Sequence, residues 1–404
     1  MTPPRPSPVP ISAVQLSASS ALSPFALVIV SPLLPELGRL YSAPAAEVQY
    51  VISAYLIGLC IAQLILGALS DRFGRRVVLL TALVVYVVMS AACALATSIE
   101  TLILARFLQA CGAAGSAAVC RAVVHDVYHG DRAVTVMSYI ASAHSIAHMF
   151  APVVGGALGQ SAGVAGVFGL LCVLGLVMLV FTYTHMPETR VFLPGPAKFS
   201  VWHMLANNWH VAKSPVFLCY AGLFGLTGAP FFAFLAVGPG YFAEHFGTSA
   251  AAFGLYWSVM SVMFFLGSAV APRLVRRLGR AGLLRLIITL GTLLAAVWPI
   301  AMQVLEPTAV TLITPPAVLS GLLGMITGVV LSGAIGAVPH LAGTASGLCG
   351  ALAMASAAVF TILTGVFYTG SAMGMVWPTT VALFIMAILT AILAVIEKPA
   401  ESKP

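Results

Sequence analysis

Twelve apolar runs, each close to the roughly 20 residues a helix needs to cross a bilayer, fill almost all of this 404-residue chain. They are read at 13–37, 47–69, 78–96, 101–124, 134–158, 163–183, 216–237, 250–271, 286–305, 310–333, 347–368 and 376–396. Only 7% of the residues are Asp, Glu, Lys or Arg, whereas soluble domains carry about a quarter. A water-soluble core is therefore excluded. Barrel strands would alternate apolar and polar residues, and these runs do not. The sequence predicts an all-α membrane protein with twelve transmembrane helices embedded in the lipid bilayer.

The formal net charge of +7 is explained by where the charges lie. Fifteen of the 18 Lys and Arg fall on the side of the chain termini, Arg39 lies on the opposite side, and Arg106 and Arg121 lie within the fourth run. That is the positive-inside distribution. Both termini are accordingly expected in the cytoplasm, and the protein in the inner (cytoplasmic) membrane. The basic balance reports topology and gives no footprint for nucleic acid. The Pro-rich opening MTPPRPSPVP cannot start a helix, and the first run can direct insertion without a cleavable signal. The seven cysteines all sit inside runs and form no CxxC, so they read as packing residues. No disulfide framework, metal site or cofactor is expected.

One connection is long. Residues 184–215 are rich in charged residues, His, Asn and Pro, and they separate six runs from six. The expected layout is a cytoplasmic tail (1–12), a six-helix bundle (13–183), a cytoplasmic linker (184–215) with a short surface helix, a second six-helix bundle (216–396) and a cytoplasmic tail (397–404). An internal echo supports the division. RFGR at Arg72 and RLGR at Arg277 stand 205 residues apart, each after the second run of its half. Duplicated halves of this kind are common among transporters.

Several motifs in order resemble the major facilitator superfamily of secondary transporters. The similarity is to its drug-exporting branch, typified by bicyclomycin and chloramphenicol resistance proteins. GALSDRFGRR (67–76) is similar to the family's loop after the second span, and ARFLQACG (105–112) to its fourth-span signature. RAVVHDVY (121–128) resembles the end of that span, and APVVGG (151–156) the antiporter signature of the fifth. VPHLAGTASG (338–347) and the pair Trp377–Pro378 also match the branch. The resemblance implies two pseudo-symmetric six-helix halves and alternating access.

In the opening loop, Gly67 permits close helix packing and Asp71 can pair with Arg near helix ends. Gly74 permits the reversal, Arg75 and Arg76 hold the loop inside, and Arg72 belongs to the same charge cluster. The cluster reads as a topology anchor or as a breakable latch between the halves; the resemblance implies the latch. In the fifth run Pro152 removes a backbone bond, while Gly155 and Gly156 allow close approach.

Exporters of this branch usually carry an acid in the first span, and Val28 occupies the related place here. All eleven acids fall in loops, in tails or near run ends. The candidates for cargo and proton handling are therefore basic or neutral. His144 and His148 are four residues apart, on one helical face, and read either as hydrogen-bonded packing residues or as a proton relay. A metal would need a third ligand, and none accompanies the pair. Arg106 either snorkels or, as the resemblance implies, serves coupling or cargo binding from the internal cavity, with Gln109 on the same face. Arg121 and Asp126 read as a structural charge pair.

The expected function is secondary export of a small amphipathic cargo by alternating access with proton exchange, the protein acting as a monomer. The missing acid favours neutral or acidic cargo, such as an amphenicol-like antibiotic or a self-made metabolite such as a siderophore. Two rivals share the fold: an importer, which should lack the fifth-span signature, and a non-transporting sensor. No phosphate loop, nucleophile motif or soluble catalytic domain suggests an enzyme.

Overall fold

The computed structural model describes residues 12–128, 131–189, 201–304, 306–338 and 341–397. A few side chains among them, that of Asp71 included, lie outside the described set, as do most of both expected tails and residues 190–200 of the linker. The chain is helical almost throughout. The first run forms α1 (Ala13–Val28) and α2 (Leu34–Leu40), joined by a 3-10 turn over Ser31–Leu33. It breaks there because Pro32 and Pro35 cannot donate backbone bonds and disfavour helical geometry in the residue before them. The next helices are α3 (Ala45–Phe73), α4 (Arg75–Ala94), α5 (Ile99–Val127) and α6 (Asp131–His185). A short α7 (Val201–Ala212) lies in the connecting segment, followed by α8 (Pro215–Leu226) and α9 (Ala229–Phe246). The chain ends with α10 (Ala250–Val304), α11 (Ala309–Gly336), α12 (Ala342–Val366) and α13 (Met373–Ile396).

Among the described residues, ten stretches are long and apolar enough to cross a membrane, and two of them are of about double length. α6 is broken at Gly163 (φ 65°, ψ −169°) and α10 at Gly279 (φ 70°, ψ 168°), so each supplies two crossings. The total is twelve. The seventh crossing runs on to Phe246 instead of stopping at 237, because the aromatic stretch after Pro239 stays helical until Gly247 takes the left-handed conformation (φ 59°) that ends it.

The two sets of six crossings repeat each other in detail. Gly74 (φ 95°, ψ 152°) turns the chain between α3 and α4, and Gly279, 205 positions later, turns it between the two limbs of α10 in nearly the same conformation. That region of backbone space is open only to glycine. The fourth crossing starts with a capping box of Ser98 and Thr101, and the tenth with one of Thr308 and Thr311, 210 positions later. Such a box satisfies two backbone donors that a helix start leaves unpaired. The first and seventh crossings each break just before a proline, Pro32 and Pro230.

The halves meet along two seams, the first limb of α6 against the first limb of α10, and α3 against α12. Contacts at Gly156–Ala250, Gly254–Pro152 and Gln49–Gly365 lie toward the end opposite the arginine-rich loop, and Gln63 beside Gly350 carries the α3–α12 seam past the middle of α3. At that end the Gln49 amide also donates to the Ala236 carbonyl.

Candidate functional site: a cavity between the halves

A cavity of about 390 Å³ lies between the two sets of helices. His144, Ser145 and His148 of α6 and Leu27 and Val28 of α1 form one wall; Phe224, Phe231, Phe232, Trp257 and Phe264 dominate the other. Thr227, Ser261 and Thr327 add hydroxyls. The lining suits a small amphipathic molecule with aromatic character, since apolar walls with a few fixed polar groups are the usual ligand chemistry. Val28, standing where the resemblance expects an acid, is part of this lining. Among the described residues every Asp and Glu lies in a connection or on an end turn of a crossing. Among the described residues lining the cavity, only the histidines are ionisable.

Both rings are held. The Ser20 hydroxyl of α1 lies 2.7 Å from His144 Nε2, and His148 Nδ1 lies 2.9 Å from the His144 carbonyl. A carbonyl only accepts, so His148 Nδ1 carries the hydrogen and its Nε2 is left as the acceptor of a neutral ring. Both rings lie on one face of α6 and line the cavity, His144 being tied to α1 of its own half through Ser20.

The seam beside them explains the fifth-run motif. Pro152 has no N–H, so the His148 carbonyl, four residues earlier, loses its usual helical donor. The Trp257 indole N–H, from α10, donates to that carbonyl at 3.1 Å. One residue on in each helix, the Ser258 hydroxyl lies 2.8 Å from the Met149 carbonyl. The two glycines divide their work. A Cβ at Gly155 would collide with the Ile29 carbonyl of the same half, and one at Gly156 with the Ala250 carbonyl, 2.5 Å away, of the other half.

Arg106 and Gln109 are elsewhere. Arg106 is fully buried inside the first bundle and is not among the described residues that line the cavity, where the sequence reading expected it to face the cargo path. Its Nη1 donates to the Ala26 carbonyl at 3.1 Å and to Gln109 Oε1 at 2.7 Å, and Gln109 donates on to Ser90 Oγ at 2.7 Å. The guanidinium lies over the Tyr55 ring, 4.1 Å from its centroid, with Phe168 at 5.9 Å. Aromatic faces and neutral acceptors thus take the place of a carboxylate among the described residues. The sequence places Arg106 at depth but does not say which side of α5 faces the cavity.

At the arginine-rich end, Asp126 pairs with Arg75 Nε at 2.8 Å instead of with Arg121. Residues five apart on a helix point about 140° away from each other, so Arg121 cannot reach Asp126 as an expected partner would. Arg75 Nη1 also donates to Ser70 Oγ at 2.6 Å, and Arg76 to the Tyr183 carbonyl at 2.8 Å. Glu188, just past α6, accepts from the backbone N–H groups of Arg75 and Arg76 at 2.8 and 3.1 Å. It caps the start of α4 with a carboxylate, where helix-end donors and the dipole favour negative charge. These partners belong to the second, fourth and sixth crossings of one half.

Sequence reasoning missed Glu188 and Trp257. Glu188 had a signal, an acid right after a Pro at the end of an apolar run. Trp257 had only an indirect one, a proline four residues after His148 that leaves a carbonyl in need of a donor.

Comparison with known proteins agrees with this architecture. The model of the Major Facilitator Superfamily matches residues 16–361. The chain is 28% identical to an uncharacterized MFS-type transporter of Bacillus subtilis, covering 87% of each chain. It is 28% identical to a chloramphenicol resistance protein of Pseudomonas aeruginosa, over 80% of this chain and 77% of that one. A multidrug resistance protein of Salmonella typhimurium is 30% identical over 61% of this chain and 60% of its own. Among solved structures, a bacterial homologue of the human lysosomal transporter Spinster superposes with a TM-score of 0.74 at 14% identity, covering 95% of each chain. Twelve crossings in two echoing halves, a cavity between them and a family match over most of the sequence lead to one conclusion: the chain belongs to the Major Facilitator Superfamily of membrane transporters.

Proposed function

We propose that this protein is a secondary active exporter that carries a small amphipathic molecule out across the inner membrane by alternating access, in exchange for protons. The observation that carries the reading is the cavity between the halves, walled by aromatic rings and by His144 and His148. The similarity to proteins named for chloramphenicol and multidrug resistance supports the direction and the kind of cargo. With the arginine-rich end in the cytoplasm, as the charge distribution has it, the closed seam faces outward and the arrangement is an inward-facing one.

The same cavity favours neutral or anionic cargo over lipophilic cations. A buried site neutralises a cation through a carboxylate; among the described residues this lining offers histidines, hydroxyls and rings, whose faces attract a cation without neutralising it. The arginine-rich loop serves as the latch that holds the inner end when the cavity opens outward. Accumulation of uncharged amphenicols, organic acids and cationic dyes in an exporter-deficient host tests the reading. Expression should lower accumulation of an uncharged or acidic probe and leave cationic dyes unchanged. Selective loss of the dyes, or no change in any probe, would contradict it.

A further inference from the structure

The seam between α6 and α10 carries an arrangement that alternating access alone does not require. Pro152 leaves the His148 carbonyl without its helical donor, and the donor that arrives comes from the other half, at 3.1 Å from Trp257 Nε1. Trp257 is almost fully buried, packs edge-on against Phe231 with ring centroids 4.9 Å apart, and forms part of the cavity wall. One side chain therefore touches the cargo space with its ring and the opposite half with its N–H.

We infer that Trp257 is a positioning residue of the transport cycle, a pin whose N–H fills the carbonyl orphaned by Pro152 and so holds the two halves together at the end away from the arginine-rich loop. The inference rests on the alternating-access reading. A buried carbonyl without a donor is costly, so opening this end must either bring water to His148 or leave the bond unmade. The closed state is thus stabilised by a bond that exists in that state only. Any cargo ring that displaces or tilts the indole acts on the same bond, which links occupancy of the cavity to the seam. Ser258, bonded to the neighbouring Met149 carbonyl at 2.8 Å, keeps the α10 turn in register for the pin.

The test uses full-length protein in liposomes, without cargo, with the native cysteines replaced. Spin labels go on Thr97→Cys and Glu306→Cys, exposed positions in the turns before the fourth and tenth crossings, one in each half at the closed end. The distance distribution between them reports closure directly. Trp257→Phe keeps the ring and removes the N–H, and should move the closed-to-open ratio toward open by about fivefold, the scale of one net hydrogen bond. Pro152→Ala restores a helical N–H to the His148 carbonyl. In that background Trp257→Phe should change the ratio by less than about twofold, because the carbonyl no longer depends on the indole. No shift with Trp257→Phe, or an equal shift in both backgrounds, overturns the pin. Should Trp257→Phe fail to fold, Pro152→Ala alone decides the matter: it must itself weaken closure, and an unchanged distribution overturns the inference. A single fixed distance in every variant and at every pH would instead count against alternating access itself.

Discussion

The Ser20 hydroxyl and His144 Nε2 lie 2.7 Å apart, joining the first crossing to the fifth at the wall of the cavity. Ser20 is fully buried, so no bulk water competes for this bond. Whichever partner donates, the contact weighs the two protonation states of the ring differently. Ser20→Ala should therefore displace the midpoint of pH-dependent transport by up to about one pH unit, the scale of one hydrogen bond. Transport measured from pH 5.5 to 8.5 reads this; an unchanged midpoint would show that the ring does not titrate during the cycle.

Arg106 supports the first bundle from within. Its Nη1 joins α1 to α5 through Ala26 and Gln109, and its cation lies on Tyr55 of α3. Lysine offers no planar fork to reproduce those contacts. Arg106→Lys should lower thermal stability in detergent by several degrees and reduce transport, and Arg106→Cys should resist small water-soluble thiol reagents in the folded protein. Rapid labelling that cargo prevents would return Arg106 to the cargo path.

The neighbouring glycines of the antiporter motif should give separable defects. Gly155→Ala drives a methyl into the Ile29 carbonyl within one half, an overpacking that costs about 1–3 kcal/mol. It should lower the melting temperature with little change in the balance of states. Gly156→Ala meets the Ala250 carbonyl across the seam and should favour the state in which this seam is open, with a smaller loss of stability. Melting curves together with closed-end distances distinguish them, and identical behaviour would remove the division of roles.

At the arginine-rich end, Asp126→Asn removes the charged acceptor of Arg75 Nε, and Glu188→Ala removes the cap of α4. Each should leave membrane insertion intact while reducing export severalfold. Asp71→Asn should do the same if the loop is a latch. Normal export by all three, at matched expression, would leave the loop as a topology anchor only.

Membrane depth was legible in the sequence, and azimuth was not. Apolar runs sufficed for the crossings, and RFGR and RLGR for the two matching glycine turns, because each depends on local chain physics. Which side of a crossing faces cargo depends on packing between helices that are apolar all round, and such helices carry little amphipathic signal. The side of α5 on which Arg106 lies, here turned into the first bundle, was therefore not readable from its position in the run. The pairing of Asp126 with Arg75, 51 positions away, and of Trp257 with the His148 carbonyl, 109 positions away, are tertiary facts that spacing along one helix cannot supply. His144 and His148 were readable together because both lie on one helical face, and the cavity is what gives that face a purpose.

Proton coupling through the histidines of this cavity is what we propose above, since among the described residues no carboxylate stands in the middle of any crossing. Transport in proteoliposomes under an imposed pH gradient tests it most directly, with His144→Gln/His148→Gln compared with the unaltered protein at matched incorporation. The double variant should lose its response to the gradient and keep downhill cargo exchange, which needs no net proton movement, while the single variants are milder. A double variant that still responds fully to the gradient would contradict the claim and leave both histidines as packing residues.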